Sequence, residues 1–132
     1  MAMDNPSIPE DLRRFVLTSI PSVPFLEALL LMRAAPDQTW RLDMLARRLY
    51  VREKTAEELL ADLCRARIAI PCTEDGVEGY RYAPADAGLR ERIDRLADLY
   101  ATHLVEVTHL IHSSLDRKAQ QFADAFKWRK DS

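Results

Sequence analysis

Two short apolar stripes, joined closely and followed at once by a change of period, leave this chain few folds to choose from. Leu42, Leu45, Ala46 and Leu49 recur at the i, i+3, i+4, i+7 spacing of one helix face. After a break at Tyr50-Val51, the residues Ala56, Leu59, Leu60 and Leu63 repeat that spacing. Two amphipathic helices so closely joined predict a helix-turn-helix. The period then drops to two. Ile68, Ile70 and Cys72 alternate, Asp75-Gly76 is a tight-turn dipeptide, and Tyr80 and Tyr82 alternate after it, which predicts a β-hairpin over 68–83. Pro71 has no amide hydrogen to donate, so its strand belongs at an edge.

Upstream, Ser7 and Glu10 with Pro9 between them fit a capping box with proline in the first turn, and Leu12, Phe15 and Val16 share a face of the helix it would start. Pro21 and Pro24 close that piece and open the next, with Ser22 as its N-cap. The segment Phe25 to Ala35 is apolar nearly all round, which predicts a helix buried centrally or shared between the core and a partner. Ala34-Ala35-Pro36-Asp37 ends it, and Thr39-Trp40 forms a short extended piece.

Downstream, a helical pattern runs from Ala87 to about Ser114. Ile93, Leu96, Tyr100, His103, Val107 and Leu110 follow 3-4 spacing, widened by Leu89, Leu104 and Ile111. One helix of that length would extend about 40 Å and need a partner surface, so these six residues are the candidates for a homodimer seam. Ser113-Ser114 is expected to loosen the chain before a last amphipathic segment, in which Phe122 and Phe126 are candidate anchors for a docking partner. The expected organisation is an N-terminal helical arm (1–21), the helix-turn-helix and hairpin (22–84), a dimerisation helix (85–114) and an amphipathic tail (115–132).

The order helix, Trp-containing strand, helix, turn, helix, hairpin resembles the winged helix-turn-helix superfamily of bacterial transcriptional regulators. Its clearest stretch runs from Trp40 through Arg41-Leu42-Asp43-Met44-Leu45-Ala46-Arg47-Arg48-Leu49-Tyr50-Val51 to Arg52. The resemblance covers about residues 23–83. It implies a mainly α fold with a small hairpin wing, in which Leu45 and Ala46 pack the first helix of the motif while Leu49 and Val51 plug the turn. Many members carry Gly or Asn where Tyr50 stands, Ser or Thr at the place of Arg52, and Gly near Arg67. The stretches 107–113 and 122–127 look like a group of uncharacterised bacterial proteins, a likeness that supplies no activity.

In a resembling regulator the second helix of the motif lies in the major groove and reads bases with its early residues, while the preceding helix and wing hold phosphates. The implied DNA-facing residues are Arg47, Arg48, Arg52, Lys54 and Thr55, with Arg81 on the wing strand. Charge complicates this. The 132 residues carry a net charge of −2, so any nucleic-acid site must be a local patch. The second helix of the motif would expose Glu53, Glu57, Glu58 and Asp62, and the wing tip Glu74, Asp75 and Glu78. The arginines also have local partners in Asp43, Glu53 and Glu57, which would make them a solvated, paired face. Two readings follow: a homodimeric winged-helix DNA-binding regulator, or a winged-helix protein-interaction module that leaves DNA alone.

Chemistry of other kinds finds little support. With 3 Gly the chain lacks a phosphate-cradling loop, and no nucleophile elbow or dinucleotide motif occurs, so no enzyme and no cofactor is expected. His109 and His112 stand i, i+3, yet no compact metal-ligand motif accompanies them, and no metal is expected. His103 falls on the apolar seam, as a packed histidine or a pH-sensitive dimer contact. Cys64 and Cys72 read as reduced thiols, although Arg65 and Arg67 beside Cys64 raise the alternative of a redox sensor. The longest apolar run, Ala28 to Met32, is too short to cross a bilayer, and Asp4, Pro6 and Pro9 spoil a signal sequence, so a cytoplasmic protein is expected.

Overall fold

The computed structural model describes residues 8–131, with side chains through Asp124. Within them, six helices and one hairpin follow in the order α1 (Glu10–Ser19), α2 (Val23–Ala34), α3 (Leu42–Leu49), α4 (Glu53–Arg65), β1 (Ala69–Glu74), β2 (Val77–Tyr82), α5 (Ala87–Thr102) and α6 (Leu104–Asp131). The expected winged helix-turn-helix is present as α2 to β2. Pro9 precedes α1 without a side-chain cap; Ser7 lies outside the described residues. Ser22 caps α2 by accepting from the Phe25 amide at 3.2 Å, and Asp86 caps α5 by accepting from the Leu89 amide at 2.8 Å.

α2 is the centre of the molecule. Phe25, Leu26, Ala28, Leu29 and Met32 are buried, and Leu30 and Leu31 are packed against the same core from their half-buried positions. α3 and α4 pack on it from one side with Leu45, Ala46, Ala56, Leu60 and Leu63, and α1, α5 and α6 pack together beyond it around Val16, Ile93, Leu96, Val107 and Ile111. One continuous core therefore joins the helix-turn-helix to the three outer helices. The Arg33–Asp94 ion pair, at 2.8 Å, ties α2 to α5, and Arg95 pairs with Asp11 to tie α5 to α1.

In the hairpin Pro71 lies opposite Tyr80. Tyr80 turns both main-chain groups away from β1, toward Trp40, so Pro71 occupies a non-hydrogen-bonded position and its missing amide hydrogen costs no ladder bond. Trp40 thus adds a single rung on the other side of β2, leaving β1 as the edge. Asp75 (φ 52°) and Gly76 (φ 77°) form the turn in the left-handed backbone that two-residue hairpins require.

The C-terminal third departs from expectation. The single helix over 85–114 is two helices, because the backbone leaves helical geometry at His103 (φ −130°, ψ 47°). The hydroxyl of the preceding Thr102 reaches back to the Leu99 and Asp98 carbonyls at 3.3 and 3.4 Å and lies 2.8 Å from His103 Nδ1. The bend returns α6 onto α1 and α5. Ile93, Leu96, Val107 and Leu110 of the expected seam are buried in this chain's own core, and Tyr100 and His103 are half-buried. The 3-4 spacing is thus satisfied within the chain, its phase surviving the bend. Ser113-Ser114 does not loosen the chain either. α6 runs through it for 28 residues, since serine costs a helix only about half a kcal/mol relative to alanine.

Candidate nucleic-acid interface

The joint between α3 and α4 closes with two hydrogen bonds. Tyr50 N–H donates to the Arg47 carbonyl at 3.3 Å and Val51 N–H to the Ala46 carbonyl at 3.0 Å. These are the paired bonds of a Schellman ending, with Tyr50 in the left-handed region at φ 58° and Val51 half-buried as its apolar plug. α4 ends the same way: Arg67 stands at φ 65°, its N–H donates to Cys64 O at 3.0 Å, and Ile68 N–H donates to Leu63 O at 2.9 Å. Glycine is the usual occupant of such positions. The two places where this sequence departs from the resembling regulators' glycine are therefore the places where the backbone asks for one.

This joint gathers five of the six predicted DNA-facing residues. Arg47 and Arg48 occupy the last turn of α3, Arg52 is the N-cap of α4, and Lys54 and Thr55 lie in its first turn. The four cations are exposed and Thr55 is half-buried. Arg81 is exposed on β2, opposite Ile70, and among the described residues no ion pair links it to the α3–α4 set.

Of the three acids suggested as local partners, only Asp43 acts as one among the described residues. It lies 3.8 Å from Arg41 and 3.7 Å from Arg47, both solvated. Such exposed pairs contribute little and give way readily to a stronger anion. The Arg48 guanidinium lies 5.6 Å from the Trp40 ring centroid and shields the indole. Arg52 and Lys54 join no ion pair among the described residues, and neither do Glu53, Glu57 or Glu58. Asp62, at the far end of α4, pairs with Arg65. The cations thus sit at the joint with one exposed acid among them, Glu53 at the start of α4, while the other exposed acids occupy the outer face of α4 and the wing tip, where Glu74, Asp75 and Glu78 are all exposed. An anion approaching this face meets attraction at the joint and repulsion at the tip.

The remaining candidates separate. Burial pushes the Cys64 thiol up, which disfavours the thiolate a redox sensor needs despite the neighbouring arginines. Among the described residues no three His, Cys, Asp or Glu side chains converge on a point, and His109 and His112 are exposed on α6. No single helix among the described residues is long and apolar enough to cross a membrane. Phe122 is 75% exposed; the Phe126 side chain lies outside the described residues. One residue at the joint went unremarked in the sequence beyond its departure from the family pattern: Tyr50, at 94% the most exposed large hydrophobic side chain among the described residues. Its signal was there, an aromatic where the resembling regulators keep Gly or Asn.

The fold and the joint together define a winged helix-turn-helix. No protein-family model matches the chain, and no curated protein matches it in sequence. Solved structures do match. The chain is similar to MepR, a transcription regulator of the Staphylococcus aureus multidrug efflux pump MepA, with a TM-score of 0.55, 15% identity, and coverage of 92% of this chain and 87% of that one. It is similar to a point mutant of S. aureus MepR bound to an oligodeoxyribonucleotide, with a TM-score of 0.54, 14% identity, and coverage of 92% and 86%. A MarR family transcription regulator matches with a TM-score of 0.50, 20% identity, and coverage of 89% and 82%. At these identities the likeness is one of fold, and it extends well beyond 23–83 to include the outer helices.

Proposed function

We propose that this protein is a transcription regulator that binds duplex DNA as a homodimer and catalyses no reaction. The observation that carries the reading is the joint itself. Arg47, Arg48, Arg52 and Lys54 are exposed on two consecutive helix ends, and only Arg47 among them is held, loosely, by an acid among the described residues. A cationic set at this point of a helix-turn-helix lies where the DNA backbone passes. A protein of the same fold has been solved with an oligodeoxyribonucleotide bound. The acidic wing tip favours the joint over the tip for phosphate contact, with Arg81 as the wing's contribution further along β2. For the homodimer, the support is apolar surface left on α6: Leu104, Val105, Leu115 and Phe122 are exposed, and Leu115 and Phe122 prolong the stripe of buried Ile111 beyond the packed part of the helix.

Binding to a random-sequence duplex, titrated with salt, tests the reading. Each phosphate neutralised should contribute a slope of about −0.9 in log K against log salt, so a joint of four cations should give about −3 to −4 per chain. Absence of binding at low salt would sink it and leave the interaction module, with the acidic face of α4 and the Phe122–Phe126 segment as its docking surfaces.

A further inference from the structure

The fold accounts for the backbone of Tyr50, which closes α3, but not for an aromatic side chain there. Its side chain is 94% exposed, so burial does not explain an aromatic there. Its backbone is in the left-handed region, which L side chains rarely adopt and which glycine or asparagine fills more easily. The other positive-φ residues have local reasons. Asp75 belongs to an Asp-Gly turn, where aspartate is favoured. Arg67 follows the end of α4, where a cation complements the carbonyl end of the helix dipole. Tyr50 has neither the turn preference nor the charge.

Its position does have a use. Tyr50 stands three residues after Arg47 and two before Arg52, and the hydrogen bonds from its own amide and from Val51 pin its backbone. At 94% exposure the side chain stands in solvent at a fixed point of the backbone between the two cationic helix ends. In a helix-turn-helix the first helix of the motif crosses the DNA backbone, Tyr50 directly follows that helix, and the tyrosine hydroxyl is among the groups that donate to phosphate oxygens. Strained backbone retained at an exposed position is the pattern of a residue kept for contact.

We propose that the Tyr50 hydroxyl donates a hydrogen bond to a DNA phosphate oxygen and positions the joint on the duplex, an uncharged contact within the cationic set. The proposal rests on the DNA-binding reading above and adds a residue to it. Because the phenol is neutral, it releases no counterion on binding; its loss lowers affinity without changing the salt dependence.

The experiment compares the full chain with Tyr50→Phe, Tyr50→Asn and Arg52→Ala on the same random-sequence duplex, alongside thermal melting. Tyr50→Phe and Tyr50→Asn should each weaken binding about three- to tenfold with the parent's salt slope. Arg52→Ala should reduce the slope by about one. Tyr50→Asn should melt about 3 °C higher while binding worse, since asparagine tolerates the left-handed backbone. A parent that binds no duplex overturns both the function and this contact. A parent that binds, with both tyrosine variants equal to it, overturns the contact alone. Full affinity in Tyr50→Phe with loss in Tyr50→Asn overturns the hydroxyl in favour of the ring. A changed slope in either variant shows that the neighbouring cations moved, and overturns the neutral contact.

Discussion

Trp40 and Tyr80 exchange both of their main-chain hydrogen bonds, Trp40 N–H to Tyr80 O at 2.7 Å and Tyr80 N–H to Trp40 O at 2.8 Å. This rung holds the wing against the strand that precedes α3, and it is possible because Gly79, the residue before Tyr80, has no side chain. A Cβ on Gly79 would stand 2.5 Å from Thr39 Cγ2 and 3.0 Å from the Trp40 carbonyl oxygen. Gly79→Ala is therefore expected to force the Trp40 rung apart, at about 1–3 kcal/mol by analogy with overpacked cores, read as a lower urea midpoint. An unchanged midpoint would mean that Thr39 moves aside freely.

Acid should find the α1–α5 contact. The Arg95 guanidinium donates to both Asp11 oxygens, at 2.5 and 3.2 Å, and this hydrogen bonding, ahead of simple charge attraction, holds the Asp11 carboxyl below its usual range. A carboxyl whose pKa is lower folded than unfolded adds stability that is complete above the unfolded value and disappears as pH falls through the folded one. About half of each side chain is open to solvent, so the effect is small. Asp11→Asn should be slightly less stable than the parent at about pH 6, with the difference closing below about pH 4. A difference that stays constant down to about pH 2 would show that the substitution acts through something other than this charge.

How far the sequence could be read follows from what kind of interaction decided each element. The stripes of α3 and α4, the Asp75-Gly76 turn, the Ser22 cap and the edge position of Pro71 are set by neighbours a few residues away, and all of these appear as expected. The bend at His103 is not of that kind. Nothing in the 3-4 spacing of Ile93 to Leu110 tells a straight helix seeking a partner from a bent one folded onto its own α1, because both bury the same residues. The site was half legible. Cations and acids could be counted, but that Arg52 and Lys54 are unpaired among the described residues while Arg48 lies against Trp40 depends on rotamers and distance. The meaning of Tyr50 needed the sign of one backbone angle.

Replacing Arg47, Arg48 and Arg52 with alanine should weaken binding to random and specific duplexes alike, because phosphate contacts carry no base information. The salt slope should shrink by about two to three units per chain. Arg48→Ala should also cost some stability by uncovering Trp40, whereas Arg52→Ala, at an exposed N-cap, should not. Undiminished binding by the triple variant would place the contacts elsewhere, with Arg81 on the wing the first alternative.

The dimer is tested on α6, where two kinds of apolar residue must be kept apart. Leu96 on the neighbouring α5 and Val107 and Ile111 on α6 are fully buried inside one chain, so Leu96→Glu should unfold the protein and say nothing about assembly. Leu115 and Phe122 are 40% and 75% exposed and, with Ala119 between them, continue a 4-3 spacing along the outer part of the same helix. A helical stretch that touches so little of its own chain is marginal in water, and its stripe is suited to a second copy laid against it. Phe122→Glu, or deletion of residues 115–132, should halve the sedimentation mass while leaving the helix-turn-helix folded. Melting should also lose its dependence on protein concentration, since only the dimer gains by mass action. Each phenylalanine buried between two chains contributes about 1.5–3 kcal/mol, so a concentrated parent should lose several degrees on truncation. A truncated chain that still sediments as a dimer would move the interface to another face. A parent that is monomeric at micromolar concentration would end the dimer reading altogether, and with it the expectation of a two-fold symmetric DNA site.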